Sequence, residues 1–394
     1  MFNRQNKSKT LHQFKYHRSL WLNVIITLGV AIMIFLIFLF AGFKGDITGF
    51  YCIGSDIKCS PLLEKQNVRV VQGNGNDGQL FLSLALDPLL LNPATKDALG
   101  GNPYYRAKRI MFPVLGYIFG SGNPQMIIYS LAIINFIGLV FLVIMASCWL
   151  KQHFKPLKWA LVILAIPSIW TILSMSTSEI YCILFSLSAL YFFRKNNTFL
   201  TIVFLTVAIF TRETAVFAFL AILLQVIFKK NYHYIFYLII PFILFALWNI
   251  YLNNVINDGV ANSAFFEIIS VPFVGIFQKI LSFFSNPTFS INYFFDLGCF
   301  ILLMLVAFTG ATTAWKNFKE IPEIAIMLFT NMLLLVMFTK KILGDSFDYL
   351  RVGGEVYFYS FIILPWASRF VKIILIVASV VISLGYIIGF CLNT

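Results

Sequence analysis

Charge is what this chain has least of. Asp, Glu, Lys and Arg make up 11% of its 394 residues, less than half the share of an ordinary soluble domain. That shortage excludes a water-soluble globular protein of this length. Acids are the scarcer sign, 16 against 29 Lys and Arg. Histidine is scarcer still. His12, His17, His153 and His233 all fall beside the basic segments that mark one membrane side. The other side therefore has no histidine for Ser-His catalysis or a His-bound metal. The six cysteines show no zinc spacing, and Cys148, Cys182, Cys299 and Cys391 lie in apolar runs, where burial is expected. Cys52 and Cys59 share one loop, where a disulfide and two thiols are both open readings.

Apolar sequence is abundant. The chain is 60% hydrophobic, with 44 Phe and 17 Tyr, and its mean hydropathy is +0.86. Long unbroken apolar runs select helices, because in lipid a segment must satisfy its own backbone or close into a barrel. The expected class is all-α: a single polytopic transmembrane helical bundle over residues 1–394, multi-pass in the cell (inner) membrane. The net charge of +13 sits in short loops between apolar runs. That is an orientation signal and gives no case for nucleic acid. Arg4, Lys7, Lys9, Lys15 and Arg18 precede a run from about Leu20 to Phe43, read as an uncleaved first span with a cytoplasmic N-terminus. With the later runs the total is about eleven crossings, with re-entrant or interfacial pieces between them. The run 157–173 is read as one span. The run 199–228 is basic at both ends and must rise and return, with Thr211-Arg212-Glu213-Thr214 at its outer apex. Fourteen of the sixteen acids fall at or near the outer side, and Glu320 and Glu323 are the two inside. Lys340 and Lys341 run against this charge pattern.

Three outer segments follow from that map: 44–109, 253–292 and 339–355. The first is far longer than an ordinary connection, which makes it a functional candidate. It carries the turn Gly73-Asn74-Gly75-Asn76-Asp77-Gly78, then the apolar segment 79–91, and it leads into 110–119. Both segments are too short to span. Asp77 reads as a solvated turn acid or as a carboxylate, pinned at the membrane surface, that takes a proton from a hydroxyl. Arg106, Lys108 and Arg109 follow Tyr104-Tyr105. They read as an interfacial anchor or as a binder of a lipid phosphate. Arg212 and Glu213 are flanked by apolar helix, so they are functional or paired. Helical neighbours point apart, which leaves Arg212 to face a phosphate while Glu213 holds another helix. Glu179 caps a helix or binds sugar hydroxyls. Asp345, Asp348, Arg351 and Glu355 form a charged segment, read as a solvated loop or as a mobile cover hinged at Gly353-Gly354. An amphipathic piece is expected at 265–284.

The order and spacing of several short motifs resemble the bacterial integral-membrane glycosyltransferases of the GT-C superfamily. They are Asp77-Gly78-Gln79, Tyr105-Arg106, Arg109-Ile110-Met111-Phe112-Pro113, Thr211-Arg212-Glu213-Thr214 and Tyr349-Leu350-Arg351. The likeness is greatest to the mannosyltransferase-like and cell-surface-glycopolymer branches. Those proteins carry a Tyr-Asp-Gly-Gln-Phe-Tyr type motif, and Asn76 and Leu80 replace its first Tyr and its Phe here. Many members have two adjacent acids in the first loop, whereas Gly78 follows Asp77. That leaves divalent metal open, and no other cofactor is called for.

The resemblance implies a polyprenyl-phosphate sugar donor, membrane lipids as surroundings, an extracytoplasmic site and inversion at the anomeric carbon. The acceptor is a glycan, lipid or protein. Asp77 is then the base, and Arg106, Lys108, Arg109, Arg212 and Arg351 are the candidates for the donor phosphate. Gln79, Tyr105, Glu179, Glu213 and Asp348 are the candidates for sugar or acceptor. A phosphate leaves without protonation, so one carboxylate suffices where a glycosidase needs two. A flippase for a lipid-linked sugar would use the same cations, but no paired internal repeat is seen. A non-catalytic scaffold of a surface-polymer assembly would need none of them.

Overall fold

The computed structural model describes residues 2–63, 66–256, 268–285 and 287–393. The chain is nearly all helix. In the first third come α1 (Phe2–Ile37), α2 (Asp77–Leu86), α3 (Pro93–Asp97), α4 (Pro103–Ala107), α5 (Met111–Phe119) and α6 (Pro124–Gln152). The middle holds α7 (Pro167–Ser174), α8 (Glu179–Arg194), α9 (Thr198–Thr211), α10 (Val216–Phe228), α11 (His233–Leu238) and α12 (Ile240–Ile256). Last come α13 (Val274–Ser285), α14 (Ile291–Lys316), α15 (Pro322–Met337), α16 (Lys340–Leu343), α17 (Ser346–Val352), α18 (Gly354–Ile362) and α19 (Arg369–Asn393). Among the described residues the only named strands are β1 (Ile53–Gly54) and β2 (Val70–Val71), paired in parallel.

Among the described residues five helices are long and apolar enough to cross a membrane: Tyr16–Gly42, Pro124–Gln152, His233–Ile256, Ile291–Lys316 and Arg369–Leu392. The segment read as one span at 157–173 is bent: a 3₁₀ turn, Leu157–Ala165, is followed by α7 at an angle of 61°, as in a broken span or a re-entrant loop. Pro167 opens α7, and a proline holds the residue before it out of the α region. Counting that bent pair gives six. The helices expected on either side of 212–213 form as α9 and α10. They and α13 and α15 are apolar helices of 10–17 residues, or about 15–26 Å at 1.5 Å per residue. The expected eleven crossings reach beyond the five or six.

The outward face of the bundle is apolar. Trp21, Ile25, Phe236, Leu247, Phe308 and Val381 are each more than half exposed. Lipid tails solvate such a surface and water does not. Inside, α6 packs against α1, α5 and α8.

Charge collects at the two ends, and α8 shows both: it begins at Glu179 and finishes at Arg194. At the Arg194 end, Arg194 donates to Glu323 at 2.7 Å. His153 lies 3.8 Å from the same carboxylate. Burial, with Arg194 and Lys155 nearby, lowers His153 to about 3. The ring is thus neutral at pH 7, and the ion pair belongs to Arg194 and Glu323. Glu323 is buried while Arg194 is about a third exposed, so water can cover the arginine once its partner is gone. Glu323→Gln is expected to cost about 1–2 kcal/mol, below the range for a fully buried pair. A thermal melt of the detergent-solubilised protein reads it as a fall of several degrees.

At the Glu179 end, the segment 340–355 is helical where a loop was expected. Lys279 of α13 is buried and reaches Asp296 at 2.5 Å and the Gly344 carbonyl at 2.8 Å. Tyr349 of α17 donates to Asp296 at 2.8 Å. A Cβ on Gly353 would lie 2.7 Å from the Tyr349 carbonyl oxygen, and one on Gly354 would lie 2.6 Å from Ser168 Oγ. Both glycines sit in close packing contacts, and the segment read as a solvated loop or mobile cover is helical. The amphipathic piece expected at 265–284 is α13 from Val274 onward; 265–267 lie outside the described residues.

Candidate active site at one end of the bundle

The site is built on a backbone crossing. Pairing of β1 with β2 brings 52–54 against the turn 73–76. Gly75 has φ +65, and a Cβ there would run into the Cys52 carbonyl oxygen and the Gly54 amide. Gln79 ties the crossing. Its Oε1 accepts from Gly54 N at 2.9 Å, and its Nε2 donates to Asn74 O at 2.6 Å. Both ends of this amide bond the backbone, so Gln79 shapes the turn, and it also lines the cavity described next. Asp77 is the first residue of α2, where the helix dipole favours a carboxylate. Gly78 lets that end of α2 lie on the Met175 carbonyl and Tyr51, with no room for a Cβ. Met175 lies four residues before Glu179. Gly78→Ala is therefore expected to shift Asp77 and to cost about 1–3 kcal/mol, seen as a lowered melting temperature and a matching loss of activity.

Asp77 faces a cavity of ≈ 730 Å³, within the usual size of a ligand site. Arg351 Nη1 donates to Asp77 Oδ2 at 2.9 Å. Arg106 and Asp348 share the lining, and Arg351 Nη2 is 3.7 Å from Asp348 Oδ1. Arg106 also donates to the Leu99 carbonyl, which fixes its side chain to the 97–101 turn. Burial acts first to raise the Asp77 pKa. The fields of Arg351, Arg109, Arg106 and Arg212 outweigh it and hold the carboxyl below its ordinary range. Asp348 goes the other way: burial raises it, against Arg351 and with help from Asp345 and Asp77.

A second layer of ion pairs stands behind this cavity. Arg212 Nη1 is 2.6 Å from Glu179 Oε1, and both side chains are under a tenth exposed. The same Glu179 oxygen is 3.7 Å from Arg351 Nε. Glu179 Oε2, Arg212 Nε and Arg351 Nε have no hydrogen-bond partner in the structure. Arg109 Nε donates to Glu213 Oε2 at 2.9 Å and its Nη2 to Oε1. Tyr105 OH donates to Glu213 Oε1 at 2.7 Å. Burial raises the Glu213 carboxyl and Arg109 more than reverses it, leaving it at about 2. Thr214 donates to Glu355 at 2.6 Å.

Asp77, Gln79, Arg106, Asp348 and Arg351 of the sequence-predicted set thus meet around one space. Arg109, Arg212, Glu179, Glu213 and Tyr105 form the charged wall behind it and spend their polar atoms largely on one another. Lys108 does not line the cavity; its ammonium lies 4.3 Å over the Tyr104 ring. Sequence reasoning missed Asp56, Lys58 and Asp97, which line the cavity too, and no local signal marks them. It also missed Lys279 and Asp296. Their signal was available, since a charge inside an apolar segment is costly unless paired. Among the described residues, no group of three or more His, Cys, Asp or Glu side chains could hold a metal ion.

A separate apolar groove of ≈ 780 Å³ runs along α9. Phe199, Ile202, Val203, Thr206 and Phe210 form one wall, with Ile240 and Leu244 of α12 opposite. Met111, two residues past Arg109, lines it as well. No family model, curated protein or solved structure matches the chain.

Proposed function

We propose that the protein is an inverting glycosyltransferase of the GT-C type. It would move a sugar from a polyprenyl-phosphate-linked donor to an extracytoplasmic acceptor in cell-surface glycoconjugate synthesis. The observation that carries this reading is the 2.9 Å pair of Asp77 and Arg351 at the cavity, with Arg106 beside it. An acid paired with one arginine, with a second arginine beside it, suits a reaction that builds negative charge on a leaving phosphate. The apolar groove supports a lipid-linked donor. Among the described residues it carries no charged side chain, and in sequence its Phe210–Met111 end adjoins the Arg109–Glu213 pair, so it suits a prenyl chain whose phosphate lies among the arginines.

In the proposed step, an acceptor hydroxyl gives its proton to Asp77 as its oxygen attacks the anomeric carbon. The bond from that carbon to the phosphate oxygen breaks, and polyprenyl phosphate leaves with the electron pair. A single displacement inverts the centre. Asp77 with its pKa lowered is a weak base while Arg351 holds it. An arriving phosphate takes over as counter-ion of Arg351, which frees the carboxylate and raises its proton affinity. In this reading the Arg194 end, with its lysines, faces the cytoplasm. The short apolar helices would complete about eleven crossings as broken or re-entrant segments around the cavity.

Translocation of a lipid-linked sugar has one observation in its favour: the groove runs the length of α9. Its lining would leave a phosphate unpaired on the way, at high cost. The deciding assay uses the full-length protein in liposomes with polyprenyl-phosphate sugars and candidate acceptors. Release of polyprenyl phosphate with a new glycosidic bond supports the transferase. Movement of intact donor across the bilayer with no cleavage supports the flippase.

A further inference from the structure

We infer that the acceptor is an uncharged, hydroxyl-rich oligosaccharide chain that enters the Asp77 cavity from the aqueous side, and that the cavity mouth discriminates against anionic and lipid acceptors. This inference rests on the transferase reading and specifies its second substrate.

The cavity and the groove share no lining residue. A lipid chain therefore has a place of its own, away from the polar mouth. The cavity offers an alkyl chain very little, since Ile57 and Leu80 are its only aliphatic side chains among the described residues. Among the described residues no aromatic ring lines it either, so the recognition they offer runs through hydroxyl groups and not through stacking. The groups that meet an acceptor are of the right kind. Asn74 and Asn76 supply amides, and Asp56, Asp97 and Asp348 supply carboxylates that accept hydrogen bonds from sugar hydroxyls.

The sign of the charge separates acceptors further. The inner part of the cavity holds Arg106 and Arg351 with Asp77. The outer, more exposed part holds Asp56 and Asp97 against Lys58, which is itself paired to Asp97 at 3.0 Å, while Asp348 stands 3.7 Å from Arg351. A phosphate- or carboxylate-bearing chain would have to pass these acids before reaching Asp77. A neutral chain passes without that penalty. The donor phosphate avoids the mouth, because its prenyl chain brings it in from the groove side.

The test is transfer by the liposome-reconstituted full-length protein from polyprenyl-phosphate sugars, with three acceptor probes in parallel. They are neutral oligosaccharides, the same oligosaccharides bearing phosphomonoesters, and diacylglycerol. The expected result is a kcat/KM for the neutral chains at least about 10-fold above the phosphorylated ones, as like-charge juxtaposition at an entrance predicts. The double variant Asp56→Asn, Asp97→Asn should narrow that ratio severalfold and leave binding of polyprenyl phosphate unchanged. Preference for the phosphorylated chains or for diacylglycerol overturns the inference and leaves the transferase intact. So does a ratio that the double variant does not move. Absence of donor cleavage with every acceptor removes the transferase reading itself, and this inference with it.

Discussion

Asp77→Asn is expected to lower turnover by about 10²–10⁴-fold, the usual contribution of a positioned general base, while donor binding stays equal or becomes tighter. The two halves come from the same pair. In the proposed step the carboxylate takes the acceptor proton, and in the structure it is the partner of Arg351 at 2.9 Å. Asparagine fills the same volume and keeps α2 in place, yet it no longer competes with phosphate for the guanidinium. Turnover in liposomes and polyprenyl-phosphate binding by native mass spectrometry read the two effects separately. A variant that loses both equally would make Asp77 a structural acid.

The pH dependence follows with a definite sign. In the free protein the arginines hold Asp77 below its ordinary range, so the acid limb of kcat/KM should lie below that range as well. In the donor complex the phosphate offsets the arginines. The acid limb of kcat should therefore sit at higher pH than that of kcat/KM. The same pair has a stability consequence. A depressed carboxyl contributes stability above its unfolded pKa and loses it as pH falls through the folded value.

Arg351→Gln is the second large effect. Removing one donor aimed at a developing negative charge costs about 10²–10³-fold in turnover, and donor affinity should weaken in addition. Glutamine also takes away the nearest cation from Asp77. The carboxyl should then rise, moving the acid limb of kcat/KM to higher pH. Arg351→Lys keeps the charge but not the two-pronged donor that meets Asp77 and approaches Asp348, so it should fall between wild type and Arg351→Gln. A stopped assay across pH on the three proteins checks this order. Equal activity of all three would remove Arg351 from the site.

The charged positions of the site were legible because the sequence around them is apolar. Arg212 and Glu213 interrupt a long hydrophobic run, and an uncompensated charge there is too costly to be incidental. The expectation that Glu213 holds another segment is met by Arg109 and Tyr105. The pairings themselves were not legible. Asp77 and Arg351 are 274 residues apart, and Arg109 and Glu213 are 104 apart, and nothing local encodes such meetings. Lys108 and Arg109 look alike in sequence, yet one step along the chain turns Lys108 onto Tyr104 and Arg109 onto Glu213. The segment 340–355 reads as a loop from its glycines and charges. It is helical because Lys279, Asp296 and Tyr349 fasten it, and that is a tertiary contact.

The central claim is that the Asp77–Arg351 cavity receives a lipid-linked phosphate. The most direct measurement is a cryo-EM structure of the Asp77→Asn protein in lipid nanodiscs with polyprenyl phosphate. The account predicts phosphate density against Arg351 and Arg106, with the prenyl chain leaving along the Phe199–Phe210 face of α9. Phosphate bound instead at the Arg194 end, or a cavity left empty at saturating lipid, would contradict it.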